Sequence, residues 1–212
     1  MRTAEERRSV HAQNMDALLS TRRLRLRCFT PDDVDLLTDL DSDPDVMFWI
    51  TGGRPTPREE IVDDILPAFL DYYRAGDRWG FWAIEERSTR EFVGWFHLRP
   101  GDGRPDDEPE LGYRIRKAFW GKGYATEGAA ALVDRAFAEL GATRVIAETM
   151  VVHTASRRVM EKVGMRLVRT FHADWPDHIP GDEHGDVEYA ITRDEWASQV
   201  AGRTNSAVRR QE

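Results

Sequence analysis

The apolar positions switch repeatedly between a period of two and a period of 3.6. Leu24, Leu26 and Cys28 alternate with arginines, as in a half-buried strand. Thr30-Pro31-Asp32-Asp33 then offers an N-cap, a proline at the first helical position and acids in the first turn. Leu36, Leu37 and Leu40 give that helix its stripe. Thr56-Pro57-Arg58-Glu59 has capping-box spacing, and Ile61, Ile65, Phe69 and Tyr72 continue the stripe across Pro67, a kink position. Strands are predicted at 79–86 and 92–99 around the turn Arg87-Ser88-Thr89-Arg90, and at 110–115 after the turn-rich acidic loop 101–109. A helix over 125–140 carries Ala129, Leu132, Val133, Ala136, Phe137 and Leu140 on one face, with Gly141 past its end. A strand at 144–150, a helix at 154–163 ended by Gly164, and strands at 165–171 and 186–192 complete the pattern. This order predicts one mixed α/β (α+β) domain over 21–198. Residues 1–20 are expected to be a tail or short helix, and 199–212 a flexible tail.

Composition narrows the class. The chain has 212 residues with Lys+Arg 30, Asp+Glu 38 and a net charge of −8, which argues against nucleic acid as a partner. The single cysteine, Cys28, excludes an intrachain disulfide framework and any cysteine-cluster zinc site, and its place in an alternating run marks it as a strand residue rather than a nucleophile. No apolar run approaches the ~20 residues of a membrane span, and residues 1–20 lack the apolar centre of a signal peptide. A cytoplasmic protein without membrane contact is expected.

The most informative segment is Arg114-Ile115-Arg116-Lys117-Ala118-Phe119-Trp120-Gly121-Lys122-Gly123-Tyr124-Ala125-Thr126-Glu127. A strand ends, a glycine turn follows and a helix begins. Glycine lets backbone N–H groups approach an anion, and the helix start adds aligned amides and partial positive charge. Four basic residues, Arg114, Arg116, Lys117 and Lys122, precede the first acid of the segment, inverting the charge of an acidic chain. Capture of a diphosphate is the implied chemistry; a tight strand-to-helix connection is the bland alternative. The segment is neither a P-loop nor a dinucleotide fingerprint, since the Gly-Lys-Ser/Thr run and the third glycine are missing.

Read with Glu110-Leu111-Gly112-Tyr113 before it and the run from His153 through Ser156-Arg157-Arg158 to Met165 after it, this segment resembles the GNAT superfamily of acetyl-CoA-dependent N-acetyltransferases, closest to its ribosomal-protein-alanine acetyltransferase branch. The resemblance implies a single domain with a mixed, mostly antiparallel, splayed sheet flanked by helices. Acetyl-CoA would be the cosubstrate, with no metal. Its phosphates would meet the turn at Gly121, Lys122, Gly123, Tyr124, Ala125 and Thr126, with Ile115, Arg116, Lys117, Ser156 and Arg157 as further coenzyme contacts. Trp120 stands where many members have Gln or Arg. Glu110 would be the base, directly or through a water, against the alternative of a solvent-facing acid. Ser156 would bond the thioester sulfur or carbonyl, or satisfy a first-turn amide. His153 replaces an asparagine: it is either a titratable catalytic group or a tolerated substitution, with Thr154 taking over as N-cap. Met160 occupies the position where many members place a proton-donating tyrosine.

The family places the acceptor, a primary amine, beside the first helices and late strands. The segment 43–53, rich in aromatics, glycines and acids, is expected to be a mobile pocket wall or a plug over the core. Phe48, Trp49, Trp82, His97 and Trp175 are the candidate acceptor contacts. Trp79 and Trp82 face opposite sides of a regular strand, and Trp95 shares a face with His97. Residues 172–188 hold six acids and three histidines, read as an acidic lip that steers a cationic amine, as a solvated loop, or as a metal site from His172, His178 and His184, whose spacing matches no standard motif. The acids at 41–45, 102–110 and 174–188 are assigned to acceptor loops. The expected activity is direct acetyl transfer in a ternary complex, by a monomer or homodimer, to a small cationic amine or a protein N-terminus. The rival is a non-catalytic CoA-binding module, kept open by Met160 and His153.

Overall fold

The computed structural model describes residues 17–76, 78–101, 103–175 and 178–208. Most of the predicted N-terminal tail and the last four residues lie outside these. The chain forms two compact units. The first runs through His97 and takes up again over Tyr113–Gly128; the second holds Leu98–Gly112 and the chain from Ala129.

The first unit starts with a short strand, β1 (Leu19–Ser20), where a tail was expected, and continues in β2 (Leu24–Arg27). Thr30 caps a 3-10 turn over Pro31–Asp33 with a reciprocal capping box to Asp33, as its sequence signals. Helices α1 (Val34–Ser42) and α2 (Pro44–Thr51) follow. The second corrects the loop expected at 43–53. Asp43 accepts the Asp45 amide, Pro44 opens the helix, and Gly52 closes it with φ +71°. Then come α3 (Arg58–Glu60), a π-helical stretch (Ile61–Ile65) and α4 (Leu66–Tyr72). Pro67 directly follows the π stretch within a run that is helical from Arg58 to Tyr72, so the irregularity expected at this proline takes the form of a locally widened turn. The cap is Pro57, not Thr56, whose hydroxyl donates instead to Asp41 at 3.3 Å.

Strands β3 (Gly80–Glu86), β4 (Phe92–Pro100) and β5 (Pro109–Ile115) are close to the predicted spans. The core of the first unit packs Phe29, Leu37, Ile61 and Phe69 against Phe81 and Trp95. The Phe69 and Phe81 rings stack with centroids 3.9 Å apart. β2 runs antiparallel to β3, with Leu26 opposite Ile84.

The second unit contains most of α5 (Tyr124–Ala138), β6 (Arg144–Met150), α6 (Thr154–Lys162), β7 (Arg166–Phe171), β8 (Asp186–Thr192) and α7 (Arg193–Val208). Leu132, Val133, Ala136 and Phe137 are buried, as the stripe predicts. The last helix carries the chain through Val208, past the expected start of a flexible tail. The hydrogen-bonded strand order is β1-β2-β3-β4-β5-β6-β8-β7, and the pairing is mixed. β5 and β6 are parallel, with Glu110 opposite Ile146, whereas β6–β8 and β7–β8 are antiparallel. Cys28 is buried just beyond β2.

Candidate functional site

The glycine turn lies in the first unit. The Arg116 amide donates to the Val93 carbonyl at 2.9 Å, closing β5 against β4. A 3-10 turn over Lys117–Phe119 follows, and the Trp120 indole N–H donates to the Ile115 carbonyl at 2.7 Å. That bond clamps the mouth of the loop, so Trp120 does structural work while the residue as a whole stays 44 % exposed. Gly121 and Gly123 both take left-handed backbone, at φ +72° and +80°, and a Cβ on Gly121 would meet nothing within 4 Å. The turn therefore presents open backbone. The bond from the Glu127 amide to the Gly123 carbonyl, at 3.0 Å, closes the first turn of α5. The Tyr124, Ala125 and Thr126 amides precede it, in the position that suits an anion.

Arg23 is a residue that sequence reasoning missed. Its guanidinium donates to the Lys122 carbonyl at 2.9 Å and to Glu127 at 2.6 Å, and it lies over the Tyr124 ring at 4.5 Å. Its Nη2 is 3.5 Å from where a Gly123 Cβ would stand. Glu127 also accepts from the Thr21 hydroxyl and the Arg23 amide. Burial pushes the Glu127 carboxyl up, but the bonds from Thr21 and Arg23 outweigh it and hold it below its usual range. Arg23 thus braces the turn from about a hundred residues upstream, and no local spacing signals it. The Tyr124 hydroxyl bonds Glu86.

Three of the four basic residues of the segment are paired within the same unit. Arg114 meets Asp41 at 2.6 Å, Arg116 meets Asp39 at 2.6 Å, and Lys117 meets Asp45. Asp41 and Asp45, two of the acids assigned to an acceptor loop at 41–45, therefore answer the basic segment instead, together with Asp39. A cavity of about 310 Å³ lies here, lined by Asp39, Ser42, Asp43, Arg116 and Lys117 among others. Ile115 is buried.

The candidate acceptor residues of the first unit separate. Phe48 and Trp49 sit edge to face on α2, half-buried, with centroids 5.0 Å apart. Trp82 is wholly buried in the core and presents no surface. Trp79 precedes β3, so the alternation argument does not reach it. His97 is buried between Phe81 and Trp95, with centroids at 5.3 and 5.9 Å, on the face it was expected to share with Trp95. The Arg114 guanidinium lies over the Trp95 ring at 5.1 Å and pairs with Asp41, which is 1 % exposed.

In the second unit, Glu110 stands near the start of β5, half-buried, in register with Ile146 of β6. A Cβ on Gly101 would lie 3.6 Å from its Oε2 and 3.4 Å from Cδ of Arg104, so the two side chains border one point. Arg104 continues to Glu148 and Glu188, donating to each at 2.9 Å from one nitrogen. Glu188 is 3 % exposed and also takes Arg144 at 2.8 Å and Arg169 at 2.9 Å. Burial pushes the Glu188 carboxyl up, yet its arginines pull it below the usual range. Glu148 shifts the other way: burial first, then the Glu188 charge, outweighs Arg104 and Arg169 and raises its carboxyl.

His153 is the N-cap residue of α6 and Thr154 its first helical residue, which corrects the cap expected at Thr154. Burial pulls the His153 imidazole down to about 4, so it is neutral at pH 7. Ser156 is 8 % exposed in the first turn, and Met160 is 3 % exposed in the core. Arg157 turns inward, donating to the Val151 carbonyl at 2.9 Å and to the Tyr189 hydroxyl at 3.2 Å. Trp175 is 51 % exposed and donates to Asp186 at 3.0 Å. Asp182 pairs with His178 at 2.7 Å and accepts the Ile179 amide, and Asp186 is buried. Much of the predicted acidic lip is thus spent on its own loop. Among the described residues no group of three His, Cys, Asp or Glu is placed to hold a metal. Among them, too, no helix is long and apolar enough to cross a membrane.

A strand, a turn of left-handed glycines and a helix start with open amides form an arrangement for anions, and residues 23–166 match the family model "Acetyltransferase (GNAT) domain". The chain belongs to the GNAT acetyltransferase family. It is 37 % identical over 184 residues to the FsC-acetyl coenzyme A-N(2)-transacetylase of Aspergillus fumigatus, covering 84 % of this chain and 77 % of that one. A GNAT-family acetyltransferase from Bacillus anthracis superposes with TM-score 0.65 at 26 % identity, over 83 % of this chain and 98 % of that one. A ribosomal-protein alpha-N acetyltransferase in complex with coenzyme A shares the fold at TM-score 0.69 and 18 % identity, over 84 % and 98 %. The GNAT protein described here is accordingly an acetyl-CoA-dependent N-acetyltransferase, and its turn fits the cosubstrate: Gly121 leaves room where a side chain would stand, and the Tyr124–Thr126 amides open the helix.

Proposed function

We propose that the enzyme moves the acetyl group of acetyl-CoA directly to a small primary amine, with Glu110 as base. The open turn at Gly121–Thr126 carries the cosubstrate half of this reading: backbone amides and a helix start hold phosphates without needing charged side chains. Lys122 and Arg23 flank those amides, and Ser156 is the candidate partner of the thioester. Glu110 suits the base because it stands near the start of the strand that feeds the turn and is half-buried. A primary amine must lose a proton to attack a thioester, and a positioned carboxylate contributes ~100-fold or more to such a step. The A. fumigatus relative is named for an N2 acceptor, which favours a metabolite amine over a protein N-terminus. Met160 is buried and its thioether donates no proton, so this reading routes no proton through that position.

The test is thiol release from acetyl-CoA across polyamines, carboxyl-blocked α-amino acids and peptides with free N-termini. Turnover on a small amine, falling about 100-fold in Glu110→Gln with CoA affinity retained, supports the reading. Tight CoA binding with no release on any amine overturns it.

A further inference from the structure

We propose that Arg114 selects the acceptor, its guanidinium donating to a neutral acyl oxygen, of an amide or ester, that the acceptor amine carries. This rests on the acetyl-transfer reading above and adds the class of acceptor. A contrast within the first unit carries it. Arg27 and Arg114 are equally deep, each with 16 % of its side chain exposed. Arg27 spends all three guanidinium nitrogens on the protein. Its Nε donates to Glu85 at 2.6 Å, its Nη1 to Asp33 and the Cys28 carbonyl at 2.7 and 3.0 Å, and its Nη2 to Asp33 at 2.8 Å. A structural arginine is satisfied in this way. Arg114 instead meets one carboxylate, with Nη1 2.6 Å from Oδ2 of Asp41, and its buried Nε has no hydrogen-bond partner among the described residues. Asp41 is in the same state. Its side chain is 2 % exposed, the Thr56 hydroxyl donates to Oδ2 at 3.3 Å, and Oδ1 has no partner among the described residues. The Trp95 ring, with its centroid 5.1 Å from the guanidinium carbon, gives that planar group a face to lie on.

A guanidinium this deep with unmet donors costs stability, and a ligand oxygen recovers that cost. The part of the Arg114 side chain that stays open gives the approach. The charge of the pair then chooses the ligand. Asp41 already balances Arg114, so a phosphate or a free carboxylate would set a second anion beside a buried one. A polyamine, protonated at pH 7, brings only further donors, and a guanidinium accepts none. A carbonyl oxygen accepts from the guanidinium and adds no charge. The position therefore matches an amine that carries a carboxamide or an ester, and selects against both polyamines and free amino acids. Asp41 holds the guanidinium in place, and the ligand oxygen meets the donors that Asp41 leaves.

The test uses the full chain with acetyl-CoA and amino acid amides of the α, β and γ types. Each amide is set against its free amino acid and against the amine that lacks only the carboxamide, with rates compared per unprotonated amine. Wild type is expected to give at least one amide a kcat/KM about tenfold or more above both of its counterparts. Asp41→Asn combined with Arg114→Met removes both charges and strands no buried ion. That double variant should lose the preference while its CoA affinity by calorimetry stays at the wild-type value. Arg114→Lys, which keeps a charge against Asp41 but not the planar donor set, should lose the preference too. Wild type acetylating the stripped amines or the free amino acids as fast as the amides overturns the proposal while acetyl transfer stands, and needs no variant. A preference that survives either substitution also overturns it, as does a loss of CoA affinity of about tenfold, which would give the guanidinium to the coenzyme. Wild-type turnover on no amine overturns both this proposal and the acetyl-transfer reading.

Discussion

Lowering the pH should destabilise this enzyme through one imidazole. His153 caps α6, and burial pulls its pKa from 6.5 to about 4. The folded-state value is depressed, so between those two pH values the unfolded chain binds more protons than the native one. The stabilisation is fully present above pH 6.5 and is lost as pH falls toward 4. The full shift is worth at most about 3 kcal/mol, and linkage between pH 7.5 and pH 5 realises about 2 kcal/mol of it. Carboxylates also titrate toward the acid end, so the contribution is isolated by subtraction. Urea unfolding of wild type and of His153→Asn at pH 7.5, 6 and 5 should show wild type losing about 2 kcal/mol more than the variant. Parallel pH dependences would refute the reasoning, as would an imidazole NMR titration with a midpoint near 6.5. The same burial bears on the chemistry. With its pKa held near 4, the imidazole is neutral at pH 7 and offers one N–H and one acceptor nitrogen rather than a positive charge.

Two further predictions concern the turn and the strand behind it. Gly94→Ala should cost about 3 kcal/mol in urea unfolding, because its Cβ would stand 2.1 Å from the Arg114 carbonyl oxygen on a backbone with φ +147°; a loss under about 1 kcal/mol would show that β5 yields freely. Arg23→Ala should weaken CoA binding about tenfold by calorimetry, since it removes the brace between Lys122 and Glu127, and should leave kcat at saturating acetyl-CoA unchanged; unaltered CoA affinity would confine Arg23 to structure.

What could be read in advance follows from the range of the interaction. The elements set by local pattern came through: β6 and β8 fall on 144–150 and 186–192, and α6 starts at Thr154. The turn was legible because glycine, helix start and strand end are contiguous. Helix α2 was not, although Asp43-Pro44 and Gly52 are ordinary boundary signals, because aromatics and paired glycines at 48–53 carry the composition of a loop. Thr56 misled for another reason: its hydroxyl finds the tertiary partner Asp41, and a local spacing rule cannot weigh that competition. Arg23 and Arg104 were invisible, since each acts on groups some 44 to 104 positions away. Arg104 in particular sits in an acidic loop whose composition suggests only solvation.

The charge pattern gains its meaning from pairing. From the sequence, the basic run at 114–122 and the acids at 41–45, 102–110 and 174–188 look like two poles, one for an anionic cosubstrate and one for a cationic acceptor. Arg114, Arg116 and Lys117 instead spend their charge on Asp41, Asp39 and Asp45 within one unit. With Asp43 beside them, these three cations face four acids, so that patch holds no surplus of positive charge. Arg23 is likewise answered by Glu127. What the turn has to offer a diphosphate is then chiefly geometric: left-handed glycines, the amides that open α5, and Lys122, whose ammonium lies over the Phe119 ring at 4.9 Å. Backbone amides hold their direction without the rotamer entropy of long cationic side chains. A helix start adds partial positive charge at the place where the amides point. An acidic enzyme can therefore bind a polyanion while its basic side chains are engaged in holding the loop in shape.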